Sequence, residues 1–185
     1  LIHTHYSAPL SAIINEMLKF SRNNYAESLI RIIGEENSIS KKDSQEKGVE
    51  KLREFIKKIP SITLDGFDGS GLSLQTRTTS NSIISLFDYI NQQPYKEIIW
   101  SSLPQAKIDG TLKSRFENIK SDSQIYAKTG THQETNSLSG KIVQNDGDKI
   151  LFSIHITNHG LNAREATVTI IPIIDQIILL LDKQF

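Results

Sequence analysis

The chain has 185 residues, 37% hydrophobic, 23% charged and 7% aromatic, which is long enough to bury a sizeable core in one domain and too apolar for wholesale disorder. Lys plus Arg equal Asp plus Glu at 21 each, so no net field favours nucleic acid or an acidic membrane surface. The absence of cysteine excludes disulfides, thiolate metal sites and a cysteine nucleophile.

The chain opens Leu1-Ile2-His3-Thr4, with neither an initiator methionine nor a basic-then-apolar leader, and reads as a processed product or a piece. Ser7-Ala8-Pro9 predicts a helix start, with Ser7 as N-cap and Leu10, Ile13, Ile14, Met17 and Leu18 along one apolar face. The pattern breaks at Ser21-Arg22-Asn23-Asn24 and resumes through Tyr25, Leu29, Ile30 and Ile33 to Gly34. That is a second helix, capped by an Asn and ended by glycine. Glu35 to Lys47 is a polar, Lys-rich loop, from which Asp43 and Glu46 start a third helix whose stripe is Val49, Leu52, Phe55, Ile56 and Ile59, stopped by Pro60. Ile62 to Ser73, with its Asp-Gly and Gly-Ser-Gly steps, is a turn-rich loop. Ser80 is placed as cap of a helix carrying Ile83, Ile84, Phe87 and Ile90, and a short helical stretch holds Ile98, Ile99 and Trp100.

From Gln124 the period changes. Ile125-Tyr126-Ala127, Ser137 to Val143 and Ile150 to Thr157 are strand-like, the last two joined by a hairpin loop at Asn145 to Asp148. Ile150, Phe152, Ile154 and Ile156 share one face of their strand, and His155 takes the other. Ile170, Ile173, Ile174, Ile177, Ile178 and Leu181 make a final amphipathic helix with Pro172 at its start or at a kink. Its uninterrupted apolar run is far too short to span a bilayer. Helices first, then an antiparallel meander closed by a helix, give an α+β fold with an antiparallel sheet flanked by helices.

Two short signatures carry chemistry: Ser21-Arg22-Asn23 and Lys128-Thr129-Gly130. Alone, the first is the capping chemistry of a helix junction, and the second is an edge strand protected by a lysine. It is no phosphate loop, because the Gly-x-x-x-x-Gly-Lys order is absent. Together they match two of the three signatures of penicillin-recognising serine acyl-transferases. They also stand in an ordered series. Ser7-Ala8-Pro9-Leu10 and Ser21 to Glu27 come first, followed by Asp68-Gly69-Ser70-Gly71-Leu72-Ser73 and by Asp109-Gly110-Thr111-Leu112 with Arg115. Ala127-Lys128-Thr129-Gly130-Thr131 and Leu138-Ser139-Gly140 close it. Over nearly its whole length the chain thus resembles the D-alanyl-D-alanine carboxypeptidases of the S13 peptidase family, the class C low-molecular-mass penicillin-binding proteins.

The resemblance implies a β-lactamase/transpeptidase-like fold and a serine D-Ala-D-Ala carboxypeptidase or endopeptidase that acts on peptidoglycan stem peptides through an acyl-enzyme and is acylated by β-lactams. It implies no cofactor, and a periplasmic or cell-envelope location. Ser21 would relay a proton to the departing amine, Asn23 would bond the substrate backbone, and Lys128, at the end of an edge strand, would supply positive potential. Thr129 and Thr131 would hold the terminal carboxylate, with the Thr131 N–H as an oxyanion donor. Gly130 would leave room for the substrate.

The family's nucleophile and base come from a Ser-x-x-Lys signature upstream of Ser-x-Asn, and nothing before Ser21 matches it. The literal matches Ser38-Ile39-Ser40-Lys41 and Ser44-Gln45-Glu46-Lys47 lie downstream in the most polar stretch, where a solvated lysine stays protonated, and are set aside as coincidences. Because inserted domains separate the two signatures in the family, the whole of 1–185 is expected to be the C-terminal portion of a transpeptidase-like domain whose N-terminal part is missing. Such a piece would be inactive alone, would leave a sheet edge exposed, and would associate with its missing segment or be poorly soluble. The alternative is a non-catalytic module of the same fold that binds D-Ala peptides through Ser21, Asn23 and Lys128 without cleaving them. A third possibility is an unrelated α+β interaction domain in which Ser21 and Lys128 lie far apart. No metal site is expected: His3 with His5 and His155 with His159 share faces but lack a carboxylate-bearing helix motif. Asp65 and Asp68 read as a turn, not as paired acids for glycoside cleavage.

Overall fold

In the computed structural model, which describes residue 4 and residues 6–36, 40–117 and 122–184, helices come first and the meander follows. Helix α1 (Leu10–Phe20) begins after Pro9, whose carbonyl takes the Ala12 N–H at 2.9 Å. The Ser7 hydroxyl is committed to the Ala8 carbonyl at 3.1 Å, so the start lies beyond the predicted cap. Helix α2 (Asn23–Gly34) follows after two residues, with Arg22 at the cap position and Asn23 already helical. Helix α3 (Lys41–Ile56) starts at Ser40, whose hydroxyl accepts the Asp43 N–H at 3.1 Å. Asp43 sits in the first turn instead of capping it.

Two glycines set how α2 and α3 meet. A Cβ on Gly34 would stand 1.9 Å from the Ser44 carbonyl oxygen, and one on Gly48 would stand 2.0 Å from that of Ile30. The helix backbones therefore touch, with no layer of side chains between them.

Strand β1 (Leu64–Asp65), inside the stretch predicted as loop, pairs antiparallel with β2 (Arg77–Thr78), which lies just beyond it. Helix α4 (Ser80–Asn91) is capped by Thr79, which accepts the Ser82 N–H at 3.1 Å, one residue before the predicted Ser80. A short α5 (Lys96–Ser102) and a 3-10 turn (Gly110–Leu112) lead to the sheet.

The sheet has the order β3 (Gln124–His132), β4 (Thr135–Val143), β5 (Lys149–Thr157), all antiparallel. Strand β3 runs through the whole Lys128 to Thr131 segment, so Lys128 lies in mid-strand and not at the strand end the resemblance implied. Helix α6 (Ala163–Gln184) covers one sheet face. Ile125, Ala127, Leu138, Ile142 and Phe152 pack there against Ala166, Ile170, Ile174 and Ile178. Pro172 is accommodated inside α6, since burial of Ile170, Ile174 and Ile178 outweighs one lost backbone hydrogen bond. The helix starts seven residues before the first predicted one, in a reciprocal cap. Asn162 Oδ1 accepts the Glu165 N–H at 3.0 Å, and Glu165 Oε2 accepts the Asn162 N–H at 2.9 Å.

The other sheet face meets the helices. Tyr126 and Leu151 pack with Phe87, Trp100, Leu103 and Leu18 of α1, and the Lys141 ammonium sits 4.4 Å from the Trp100 ring centre. His155 projects to this face beside Ser153, as the alternation predicted. The sheet is thus a middle layer; the outer edge of β3 is bridged by Pro104 to Ala106 at Ile125 to Ala127, and farther along it faces Ser21 at the α1–α2 junction.

Candidate active site

The α1–α2 junction is shaped by Ser21, which ends α1 in the left-handed conformation (φ 53°, ψ 50°). A residue with a Cβ is uncommon there, and glycine would suit the backbone better. The turn it makes is closed by the Arg22 N–H on the Met17 carbonyl at 3.0 Å and by Arg22 bonding Glu16 at 3.0 Å. It brings Ser21 and Asn23 to the wall of one cavity of about 390 Å³.

Strand β3 forms the opposite wall. Lys128 Nζ donates to Ser21 Oγ at 2.8 Å and to the Thr129 carbonyl at 2.7 Å, joining residues 107 apart in sequence. Burial pushes the Lys128 pKa down from the ordinary lysine value. The Thr129 and Thr111 hydroxyls lie 2.9 Å apart. Gly130 faces Ser137 across the ladder, and a Cβ on it would stand 2.3 Å from Ser137 Oγ. Thr131 completes the edge. All six residues singled out from sequence, Ser21, Asn23, Lys128, Thr129, Gly130 and Thr131, line this one cavity. The reading in which Ser21 and Lys128 lie far apart is excluded by that contact.

A third wall is the turn at residues 68–73. Asp68 organises it, accepting the Gly71 N–H at 2.9 Å and the Ser73 N–H at 2.8 Å, so the aspartate serves the turn. Ser70, Gly71 and Leu72 reach the cavity. The turn is tied to α2 by Glu27, whose Oε1 takes the Ser70 N–H at 2.9 Å while Oε2 takes the Gln45 amide at 3.2 Å. In the sequence Glu27 and Thr111 stand out only as parts of the motif series, and Ser137 only as the first residue of a strand. Only the pairing of β3 with β4 and the packing of α2 place them here.

Of the two Ser-x-x-Lys look-alikes, the Ser44–Lys47 pair lies outside this cavity. Ser44 is buried inside α3, bonding the Lys41 carbonyl at 2.9 Å, and Lys47 pairs with Asp43 at 3.0 Å. Ser38 and Ile39 lie outside the described residues, as do His3 and His5. Among the described residues no three His, Cys, Asp or Glu side chains gather to hold a metal, and no helix is long and apolar enough to cross a membrane.

The sequence model of the D-Ala-D-Ala carboxypeptidase 3 (S13) family matches residues 1–178. The chain belongs to that family. Among its S13 relatives, penicillin-sensitive carboxypeptidase A of Dictyostelium discoideum is 36% identical over 96% of this chain and 35% of its own length. The D-alanyl-D-alanine carboxypeptidase of Actinomadura sp. R39 is 32% identical over 84% of this chain and 30% of its own. The chain therefore spans about a third of the length of these relatives. Penicillin binding protein 4 of Haemophilus influenzae, solved in complex with a β-lactam, superposes with TM-score 0.68 at 25% identity, covering 87% of this chain and 38% of its own. A class A β-lactamase representative from Bacteroides cellulosilyticus shares the fold alone, with TM-score 0.68 at 17% identity over 96% of this chain and 65% of its own. The expected β-lactamase/transpeptidase-like α+β fold is the one found.

Proposed function

We propose that this chain carries the Ser-x-Asn and Lys-Thr-Gly walls of a serine acyl-transfer site that cleaves D-Ala-D-Ala termini of peptidoglycan stem peptides, as a carboxypeptidase or endopeptidase. The observation that carries the reading is the 2.8 Å contact between Lys128 Nζ and Ser21 Oγ at the edge of β3. In this reading a Ser-x-x-Lys segment supplies the acylated serine and its base, and the residues described here supply the rest.

Ser21 Oγ accepts from the Lys128 ammonium, which leaves the Ser21 proton available for the leaving D-Ala nitrogen as its C–N bond breaks. A proton from Lys128 then replaces the one Ser21 gives up. Burial lowers the cost of that transfer, because the neutral amine suits the site better than it would suit water. Asn23 bonds the peptide backbone of the acyl side. The Thr129 and Thr131 hydroxyls hold the terminal carboxylate, the Thr131 N–H aids the oxyanion, and the bare backbone of Gly130 lets the substrate lie alongside β3. β-Lactams enter the same site as acylating ligands, and the substrate places the parent protein in the periplasm or cell envelope.

The test is labelling of the full-length gene product by a fluorescent penicillin. Lys128→Ala is expected to lower the acylation rate at least a hundredfold, the loss typical of one transition-state donor. Labelling at the wild-type rate overturns the assigned role. Carboxylate-dependent binding of D-Ala peptides with no labelling of the full-length product would favour the non-catalytic module.

A further inference from the structure

We infer that His159 and Asn136 are positioning residues that aim the Thr131 hydroxyl proton into the cavity, toward a ligand carboxylate; the inference rests on the reading of Thr131 given above. Asn136 stands directly opposite Thr131 in the β3–β4 ladder and is 2% exposed. So enclosed a side-chain amide needs its partners, and the partners fix its direction.

The direction is set from the far end. The Leu161 N–H donates to His159 Nδ1 at 3.1 Å, so in the neutral ring Nδ1 carries the lone pair and Nε2 carries the proton. Nε2–H then donates to Asn136 Oδ1 at 3.0 Å. That turns the Asn136 NH2 toward Thr131, whose Oγ1 accepts at 3.5 Å. An oxygen that accepts on its inner side has its own proton free for an acceptor on the outer side, where the cavity lies. The Thr129 hydroxyl has no such bias: it meets another hydroxyl, that of Thr111, and either can donate.

The loop after β5 is shaped for this purpose. Asn158 (φ 56°) and Gly160 (φ 70°), the residues on either side of His159, both adopt the left-handed conformation. Holding a non-glycine residue there is unfavourable, and the double turn folds the imidazole back over the end of the sheet. None of the proton-transfer residues, Ser21 and Lys128 among them, takes part in this chain of donors.

The experiment is an NMR titration of the full-length gene product with N-acetyl-D-Ala-D-Ala and with its C-terminal amide. Wild type is expected to bind the acid more tightly than the amide. Asn136→Ala and His159→Ala should each weaken binding of the acid about tenfold, about 1.4 kcal/mol, and leave the amide unchanged. His159→Gln should retain acid binding, because its side-chain amide can accept from the Leu161 N–H and donate to Asn136 as the neutral imidazole does. Asn136→Ala added to Thr131→Val should cost nothing further. Equal weakening of acid and amide, or independent effects of Asn136→Ala and Thr131→Val, overturns the inference. So does acid binding that neither Asn136→Ala nor His159→Ala alters, with the carboxylate reading left standing. Wild type that fails to prefer the acid overturns the carboxylate reading and this inference with it.

Discussion

Replacing Asp109 by alanine strands a charge between α1 and the loop that precedes β3. The Lys19 ammonium, on a side chain 12% exposed, lies 2.6 Å from Asp109 Oδ2, and its other hydrogen bond among the described residues goes to the Leu103 carbonyl at 2.7 Å. The second Asp109 oxygen takes the Gln105 N–H at 2.8 Å. Asp109→Ala therefore removes a charge-assisted bond worth about 1.5–3 kcal/mol and frees a backbone donor worth about 1 kcal/mol or more. Breaking a fully buried pair costs about 3–5 kcal/mol, but Asp109 is 37% exposed, and water entering the gap brings the expected loss to about 2–3 kcal/mol. Lys19→Met should cost about 1 kcal/mol, since its stem still packs and Asp109 keeps Gln105 and solvent. The double variant should then cost about 1–2 kcal/mol less than the two single losses together. Urea unfolding of the four proteins reads all of this directly. A loss below about 1 kcal/mol for Asp109→Ala, or additive losses, would show that the contact behaves as an ordinary surface ion pair and would refute the reasoning.

Burial lowers the His155 pKa from 6.5. The unfolded chain therefore binds more protons than the folded one between the lowered value and 6.5, so stability rises with pH across that window and falls on acidification through it. His155→Gln should flatten that part of the pH–stability curve, and superimposable curves for the two proteins would count against a pKa lowered by the half-buried site of His155. Gly130→Ala places its methyl 2.3 Å from the Ser137 hydroxyl. The hydroxyl can rotate away, so the change in unfolding free energy should stay within about 1 kcal/mol, while penicillin labelling of the full-length product should drop at least tenfold. Full labelling would mean that ligands do not run alongside β3 at this residue.

How much of this was legible in sequence depended on what each feature needs. That Ser21, Asn23 and the Lys128 to Thr131 run share one cavity could be anticipated because they stand in an ordered series of motifs, and that order carried the fold with them. Helix starts were less legible. In Thr78-Thr79-Ser80 several hydroxyls compete for one cap, and Thr79 wins because the Ser82 hydroxyl is also engaged by the Thr63 N–H at 2.9 Å, a tertiary contact. The start of α6 is masked in the sequence because Thr167, Val168 and Thr169 dilute the helical signal, even though Asn162 and Glu165 have capping-box spacing. The Asn136–His159 pair could not be read at all: it exists only once the register sets Thr131 opposite Asn136, and neither residue belongs to a motif.

The tip of the 68–73 turn gives the cavity one adaptable side. The β3 wall is locked by the ladder to β4, and Ser21 and Asn23 sit at the junction of α1 with α2, which meets α3 backbone to backbone. The turn is held to α2 only at its base, by Glu27 through the Ser70 N–H and by Gly69, whose Cβ would stand 2.5 Å from the Ala26 carbonyl oxygen, whereas at its tip a Cβ on Gly71 would touch nothing within 4 Å. Leu72 beside it can be enlarged, shortened or recharged with no consequence for the proton-transfer geometry across the cavity. On the proposed reading, a library meant to retarget the cavity should therefore vary residues 70–72 first, since they line it without touching the Lys128–Ser21 contact.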